Sequence, residues 1–343
     1  MTIDISGSQP VSTDGAPMLP LKIIATGKAL PSRCVTSVEL DVLLGKPEGY
    51  VKKKSGMTHR YFAEETDHQS ELAAAALRDA LTRQAIPAAS IDLLLSATGV
   101  SEQALPSTAC RIMQPAGLAH GIPAFDINAS CLSFLAALQL AASLLNTGTY
   151  KRIAIVASDL ASRGLNWDDH ETSLIFGDGA AAVIVERGDG RTGIEAFRME
   201  THPQGKALCE IRAGGTRRTP RRGADAEDFL FRMDGRGVFR LAAQVMDRFI
   251  ALLFAGRPFG PRDMDIVIPH QASHLAMQHI TKRLGMPSTQ VMNIYATHGN
   301  QVAASMPTAV HEAMVTGRLA AGSRALLIGT AAGLTVGGMV LVL

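Results

Sequence analysis

A short apolar strand leads into a long uncharged helix in PAFDINASCLSFLAALQLAASLLNTGTY, residues 123–150. Cys131 follows the strand, at the point where we expect the helix to begin. No charged residue occurs between positions 127 and 150, and that length alone would allow a membrane span. Polar side chains such as Asn128 and Gln139 interrupt the run, so the pattern favours a buried strand and a buried core helix.

The composition of the whole chain agrees with an α/β protein. Of its 343 residues 47% are hydrophobic but only 5% aromatic, and 32 are glycine, so the apolar mass is aliphatic and closely packed. This suits buried strands covered by helices. The net charge of +2 gives no indication of nucleic-acid binding. The four cysteines form no CxxC pair and the N-terminus does not resemble a signal peptide, so we expect a cytoplasmic chain.

Apolar strands alternate with helical patterns in two similar runs. We expect one β/α half at residues 21–190 and a second at residues 191–343, with parallel, helix-covered sheets. Residues 1–20, rich in Ser, Thr, Asp, Gly and Pro, are expected to be a mobile tail. The uncharged residues 325–343 are interpreted as two buried strands with a Gly-rich turn. A membrane span is not expected there, because isolated strands cannot satisfy their backbone hydrogen bonds in lipid.

Cys131 is a candidate nucleophile because of its position at the start of a helix. The positive end of a helix dipole lowers the pKa of a thiol and so increases the fraction of reactive thiolate. The alternative is a buried structural cysteine, which is the more common role of this residue type.

His270 and Asn300 are candidate functional residues because of where they lie, at the end of a strand and in a loop before a helix. His270 ends the strand pattern DIVIPH, and ligands in such sheets bind beyond the carboxyl ends of the strands. Asn300 lies in the small-residue loop THGNQVAASMP, where its alternative role is a turn or cap. The spacing of His270 and His274 also raises a zinc site, but no HExxH glutamate accompanies it. We therefore expect no metal and no bound cofactor.

Two basic segments break the even distribution of charge. One is Lys52–Lys54, and the other is residues 201–222, which include Arg217 and Arg218. Such segments are either solvated or contact a phosphate-bearing ligand or an acidic partner.

Six motifs together resemble the β-ketoacyl-acyl carrier protein synthase III family of the thiolase superfamily, and the resemblance covers residues 21–343. The motifs are DINASCLSF around Cys131, IFGDGAAAVIV (175–185), MDGRGVF (233–239), IPHQAS (268–273), HGNQVAAS (298–305) and GTAAGLTVGG (329–338). The resemblance implies a five-layered αβαβα fold of two pseudo-repeated halves, and a homodimer. It implies that an acyl-CoA loads the cysteine, which is followed by decarboxylative Claisen condensation with malonyl-ACP or malonyl-CoA. That reaction serves fatty-acid initiation or a specialised pathway.

The resemblance also implies a role for each candidate residue. Cys131 would carry the acyl group, while His270 and Asn300 would stabilise the enolate. Backbone N–H groups of Cys131 and Ala332 would form the oxyanion hole. Asp178 would order a turn rather than take part in catalysis.

The substrate contacts implied by the resemblance depart from the usual family residues. Tyr50 aligns with an aromatic residue that stacks on the CoA adenine, and Lys54 and His170 align with CoA-side arginines. Arg217 and Arg218 are further candidate substrate contacts. Leu105 aligns with a bulky residue from the partner subunit that closes the acyl pocket, so we expect acyl chains longer than acetyl.

The carrier-protein site departs from the family in the same way. Leu275 aligns with a docking arginine, and Lys282 and Arg283 are the candidates to replace it. Two other functions stay open at this point. One is an acyltransferase that forms an ester or amide without decarboxylation, and the other is a non-catalytic subunit of a heterodimer.

Overall fold

Two five-stranded sheets form the frame of the molecule within residues 18–343, the part of the chain that the computed structural model describes. The strands are β1 (Leu19–Pro20), β2 (Lys22–Ala29), β3 (Arg33–Thr36), β4 (His59–Phe62), β5 (Leu93–Ser96), β6 (Ala124–Asp126), β7 (Arg152–Asp159), β8 (Gly179–Glu186), β9 (Gly193–Thr201), β10 (Cys209–Glu210), β11 (Arg232–Met233), β12 (Ile266–Pro269), β13 (Arg324–Ala331) and β14 (Thr335–Val342). The α-helices are α1 (Ser37–Leu43), α2 (Tyr50–Ser55), α3 (Gln69–Arg83), α4 (Thr108–Met113), α5 (Ser133–Asn146), α6 (His170–Ser173), α7 (Gly235–Leu253), α8 (His274–Leu284), α9 (Tyr295–His298) and α10 (Ser305–Val315).

The sheets are mixed rather than parallel. The first has the order β2-β8-β7-β5-β6, and the second has the order β1-β9-β14-β13-β12. Among the strands named above, parallel pairing is confined to β5 with β6 and β7, and to β12 with β13. The expectation of parallel sheets was therefore wrong for the remaining pairs. Strands β13 and β14 are joined by a tight turn, which requires antiparallel pairing.

A central helical layer lies between the two sheets. Helices α5 and α10 contribute Leu135, Leu138 and Val310 to a cluster that also contains residues from both sheets, such as Leu95 and Leu327. All five side chains are at most 1% exposed. Helix α5 is apolar on nearly all sides because it contacts both sheets. The expectation that residues 127–150 form core elements is thus confirmed.

Each sheet has a second layer of helices on its outer face. Helices α3 and α4 pack on the first sheet, where Leu77 and Ile112 meet Leu94. Helices α7 and α8 pack on the second sheet, where Phe249 contributes to a separate buried cluster with Leu326. Neighbouring residues of one strand face opposite layers, as side chains in strands alternate. The result is five layers, αβαβα, which confirms the predicted α/β thiolase-like class.

Small residues allow these layers to lie close together. A Cβ atom at Gly27 would be 2.3 Å from the backbone oxygen of Ala76 in α3, so only glycine fits at this point of β2. Ala73 and Ala80 extend the same contact with no exposed surface. The abundance of Ala and Gly in the sequence therefore reflects close helix–sheet packing.

The chain passes from the first sheet to the second between β8 and β9, at residues 187–192. Of the predicted tail at residues 1–20, the first 17 lie outside the described residues, while Leu19 and Pro20 form β1 and pair with β9. The tail prediction was wrong for these two residues. No helix within residues 18–343 is both long and apolar enough to cross a membrane.

Candidate active site

Cys131 lies in a tight turn between β6 and α5. Ser130 has a φ of +54°, in the left-handed region that L residues seldom adopt, and its N–H donates to Asn128 Oδ1 over 2.9 Å. The hydroxyl of Ser133 accepts from the N–H of Ala129 over 2.9 Å and donates to the Ser130 oxygen over 2.7 Å. These bonds hold a strained turn in place, and strain of this kind is typical of functional sites.

The Cys131 thiol is protonated at neutral pH. Burial raises its pKa to about 11, although hydrogen bonds from the Ser130 side chain and from the backbone of Ala332 and Cys131 act in the opposite direction. The expected lowering of this pKa by the start of a helix was therefore wrong. Removal of water from around the thiolate outweighs the contacts that favour the charged form.

The Ala332 backbone lies at this thiol, in the turn that joins β13 to β14. Its hydrogen bond to the sulfur is one of those that lower the Cys131 pKa. The predicted pair of oxyanion donors, the N–H groups of Cys131 and Ala332, is therefore brought together at one sulfur atom. Leu334 has a φ of +45° and completes the turn that presents Ala332.

His270 follows β12 and lies next to the start of the cysteine helix. Gly329 separates the two, because a Cβ atom there would be 2.6 Å from His270 Cβ and 3.3 Å from Leu132 Cδ2. Burial lowers the pKa of His270 to about 4, so the imidazole is neutral at pH 7. Its Nδ1 is buried and has no hydrogen-bond partner within residues 18–343.

The Asn300 side chain is fixed by three contacts. Its Nδ2 donates to the Ala272 oxygen over 3.2 Å, and its Oδ1 accepts from the Val302 N–H over 2.9 Å and from the Ser305 hydroxyl over 3.5 Å. The residue is only 6% exposed. Ala272 follows His270 by two positions, so Asn300 and His270 belong to one connected unit. The amide has a second N–H that none of these bonds uses.

Asp178 behaves as the resemblance implies. Its carboxylate accepts from the Ala63 N–H over 2.8 Å and from the N–H and hydroxyl of Ser162, and the side chain is fully buried. It joins the segment after β4 to the segment after β7, which is a structural task.

The predicted CoA contacts are only partly brought together. Tyr50 Oη lies 3.1 Å from His170 Nδ1, and the two rings meet edge to face with centroids 5.8 Å apart. The Lys46 ammonium lies 5.6 Å from the centre of the Tyr50 ring. Lys54 is exposed in the last turn of α2, on the same helix as Tyr50.

The two predicted arginine contacts already have acidic partners. Arg217 pairs with Glu210 over 3.3 Å and is largely exposed, whereas Arg218 pairs with the buried Asp228 over 2.9 Å. Arg217 also lines a surface cavity of about 450 Å³ with Lys206, Ala207 and Glu210. Of the two, Arg217 is therefore the more accessible side chain.

The two candidate docking residues also differ, because Arg283 has an acidic partner and Lys282 is exposed. Arg283 binds both carboxylate oxygens of Asp247 at 2.6 and 2.9 Å and donates to the Ala243 oxygen, so it joins α8 to α7. Lys282 is exposed. The sequence analysis did not identify Arg236 and Arg240, which are exposed on α7.

An exposed aromatic side chain lies beside these two arginines. Phe239 is 52% exposed, and its ring contacts His279 of α8 with centroids 4.8 Å apart. In the sequence, the polar face of the amphipathic α7 pattern could have indicated this surface.

The sequence analysis also did not place Cys209 near the site, because it lies in the basic segment. Cys209 belongs to β10 and pairs with Met233 of β11. Burial raises its pKa to about 12, and Cys131, when ionised, acts in the same direction, so the two thiols share one region. Leu105, in contrast, is 83% exposed in the segment before α4.

Comparison with protein-family models gives two matches. The model described as 3-Oxoacyl-[acyl-carrier-protein (ACP)] synthase III matches residues 125–203, and the model of the C-terminal part of the same protein matches residues 256–343. The first range contains Cys131, and the second contains His270 and Asn300.

Similar proteins cover almost the whole chain. The β-ketoacyl-[acyl-carrier-protein] synthase III of Thiobacillus denitrificans is 33% identical over 320 residues, which are 93% of this chain and 98% of that protein. The synthase III 3 of Streptomyces coelicolor is 35% identical over 317 residues, with coverage of 91% and 93%.

Solved structures agree with the sequence relatives. The 3-oxoacyl-[acyl-carrier-protein] synthase III of Aquifex aeolicus superimposes with a TM-score of 0.84 at 29% identity, and the match covers 94% of this chain and 100% of that one. The Xanthomonas campestris OleA gives a TM-score of 0.83 with coverage of 95% and 99%, but at 20% identity this likeness concerns the fold alone. From these relatives and the two family models we conclude that the chain belongs to the 3-oxoacyl-[acyl-carrier-protein] synthase III family of condensing acyltransferases.

Proposed function

We propose that the chain transfers an acyl group from an acyl-CoA to Cys131 and then condenses it with a malonyl thioester, with loss of CO₂, to give a β-ketoacyl thioester. The observation that carries the proposal is the arrangement around one buried thiol. A neutral imidazole, an amide with a free N–H and two backbone donors belong to the segments that meet there.

In the first half-reaction Cys131 must lose a proton, because its thiol is neutral at rest. The thiol gives up its proton to water, and the sulfur attacks the thioester carbonyl as a thiolate, since His270 keeps its single proton on Nε2 for the later step. Backbone N–H groups of Cys131 and Ala332 stabilise the tetrahedral oxyanion. The C–S bond to CoA then breaks, and the CoA sulfur takes up a proton from water. The products are acyl-Cys131 and free CoA.

In the second half-reaction the malonyl thioester loses CO₂, and the electron pair of the broken C–C bond forms an enolate. His270 Nε2–H and the free N–H of Asn300 donate to the enolate oxygen. Both donors are neutral, since burial holds the pKa of His270 well below 7. The enolate carbon attacks acyl-Cys131, and the cysteine sulfur leaves and is protonated again. No bound cofactor takes part in this sequence.

The remaining contacts are assigned by exposure and charge. Tyr50, His170 and Lys54 would contact the CoA nucleotide, and Arg217 would contact a phosphate from its cavity. An acidic carrier protein would dock on Lys282, with Arg283 holding α8 against α7. Arg236 and Arg240, which are exposed on α7, add positive charge to this surface.

We also propose a homodimer in the cytoplasm. Strand β6 is an edge of the first sheet, and its Phe125 is partly exposed. Leu105, exposed nearby in sequence, would close the acyl pocket of the partner subunit. The four cysteines are free thiols, as expected in a reducing compartment.

A product assay tests the proposed reaction against its alternatives. The enzyme is given an acyl-CoA with ¹⁴C-carboxyl malonyl-CoA or malonyl-ACP, and both released ¹⁴CO₂ and the β-ketoacyl thioester are measured. We expect CO₂ and product in equal amounts. Release of CoA without CO₂ would indicate transfer to oxygen or nitrogen, and absence of both would indicate a non-catalytic subunit. The two malonyl donors distinguish carrier protein from CoA.

A further inference from the structure

Asp159 is a buried carboxylate for which the proposed mechanism has no use. It ends β7 and is only 1% exposed. Its Oδ1 accepts the N–H groups of Gly99 and Val100, both over 3.0 Å, and Oδ2 accepts the N–H of Ala303 over 3.1 Å. A buried ionisable group is costly unless its partners are complete, so three backbone donors on one carboxylate indicate a specific task.

Oδ2 of this carboxylate is connected to Asn300 through the backbone of Ala303 and Val302. Ala303 follows Val302, whose own N–H donates to Asn300 Oδ1 over 2.9 Å. Val302 has a φ of +51°, a conformation that is strained for a β-branched residue. A strained turn of this kind needs an external anchor, and Asp159 supplies one at the next residue.

The other side of the carboxylate holds Gly99 against the same turn. A Cβ atom at Gly99 would be 2.5 Å from Val302 Cγ1, so these two segments are in direct contact. The Gly99 oxygen also accepts from Asn128 Nδ2 over 3.1 Å, near the cysteine turn. The Ser133 hydroxyl also holds that turn: it donates to Ser130 O and accepts from Ala129 N within the turn, and it donates to Thr98 O, whose peptide group Asp159 binds at Gly99. Two of these three bonds do not involve the segment that Asp159 holds. Loss of Asp159 would therefore affect Asn300 more than Cys131.

We propose that Asp159 is a positioning residue for the condensation half-reaction. By anchoring the turn at Val302 and Ala303, it fixes the Asn300 amide so that its free N–H points at the enolate oxygen. This inference rests on the proposed function, since it assigns Asp159 a task only if Asn300 stabilises that enolate.

The test compares the two half-reactions in Asp159→Asn, which keeps the side-chain volume but replaces one acceptor oxygen by a donor. Loss of one oriented donor in an oxyanion site typically costs about 10²–10³ in rate, and a misplaced donor costs less, so we expect decarboxylation to fall ~10–100-fold. Acylation of Cys131 by acyl-CoA should not fall, because loss of the Asp159 charge removes one of the influences that raise the Cys131 pKa. The KM for the malonyl donor should change little, because the loss arises in the transition state.

A double-mutant cycle separates positioning from general damage. In an Asn300→Ala background, Asp159→Asn should lower the residual decarboxylation less than about twofold, because the residue through which it acts is gone. Equal loss in both backgrounds, or an equal loss of acylation and decarboxylation, would overturn the proposal. Decarboxylation by Asp159→Asn at the wild-type rate would also overturn the proposal.

A matched control and a second variant complete the experiment. Asp92→Asn removes a carboxylate that accepts the N–H groups of Lys151 and Arg152 at 2.8 and 2.9 Å, at the opposite end of β5 and β7, and should leave both half-reactions unchanged. If Asp159→Asn does not fold, Val302→Gly loosens the same turn without touching the carboxylate. It should lower decarboxylation selectively, and an unselective or absent effect would overturn the inference.

The proposed function fails in a different way from this inference. A wild-type enzyme that neither acylates nor decarboxylates would contradict the proposed function itself. A wild-type enzyme that does both, with an Asp159→Asn variant that also does both at full rate, would contradict only the role of Asp159.

Discussion

The side-chain amide of Asn300 donates to the backbone oxygen of Ala272 over 3.2 Å. Ala272 in turn donates its N–H to the oxygen of His270 over 2.9 Å. The loop after α9 and the segment after β12 are thereby joined, although they lie about thirty positions apart. Two neutral hydrogen-bond donors are held in one unit, which is the requirement for stabilising an enolate.

Asn300→Ala should separate the two half-reactions. The variant should still be acylated by acyl-CoA, because Asn300 has no part in that step, but decarboxylation should fall about 10²-fold through loss of one donor. The measurement is ¹⁴CO₂ release from carboxyl-labelled malonyl thioester. Asn146→Ala, which removes an amide bonded to the Pro20 oxygen far from the thiol, is the control. Undiminished ¹⁴CO₂ release would remove Asn300 from the mechanism.

The pH dependence of alkylation should follow the raised pKa of Cys131. With a pKa of about 11, the thiolate fraction rises tenfold with each pH unit between pH 7 and 10. The rate of modification by iodoacetamide, measured by peptide mass spectrometry, should therefore keep rising across this range, unlike that of a free cysteine derivative. A plateau below pH 9 would show that the thiolate is stabilised rather than disfavoured by its site.

Leu105→Phe should shift the enzyme towards short acyl chains. A larger side chain at the gate reduces the room for the acyl group, and even one methylene too many in an apolar pocket typically changes kcat/KM by about 10–200-fold. The ratio of kcat/KM for octanoyl-CoA to that for acetyl-CoA is the measured quantity. Leu275→Phe, at a second exposed leucine, should leave this ratio unchanged. The gate assignment is wrong if Leu105→Phe has the same profile as wild type.

Gly329→Ala should damage both stability and catalysis. Its new Cβ would lie 2.6 Å from His270 Cβ, so the histidine must move. We expect a loss of about 1–3 kcal/mol in the free energy of unfolding, as for other overpacked core positions, together with slower decarboxylation. Gly215→Ala is the matched control, since nothing lies within 4 Å of a Cβ atom there. Denaturant unfolding and CO₂ release check the two effects, and a stable, fully active Gly329→Ala would contradict the placement of His270.

Much of the fold could be predicted from local patterns. The strand and long helix expected within residues 123–150 are β6 (Ala124–Asp126) and α5 (Ser133–Asn146), because a short apolar strand followed by a long uncharged run has few alternatives. Strand direction could not be predicted in the same way. Only the antiparallel pairing of β13 with β14 follows from the Gly-rich turn expected within residues 325–343, whereas the antiparallel pairing of β2 with β8 joins strands from distant parts of the chain.

The candidate site shows the same division. The order of motifs was sufficient to nominate Cys131, His270 and Asn300, since each stands at the end of a strand or in a loop before a helix. The pKa of Cys131 could not be predicted, because it depends on burial by residues far away in sequence. The ion pair between Arg283 and Asp247 could not be predicted either, because it depends on how α8 packs on α7.

The account depends most on Cys131 as the residue that carries the acyl group. Intact protein mass spectrometry after incubation with a series of acyl-CoAs tests this directly, and it also identifies the preferred primer. Wild type should gain the mass of one acyl group, and Cys131→Ala should gain none, whereas Cys209→Ala should be labelled like wild type. Labelling of Cys131→Ala to the same extent as wild type would contradict the account.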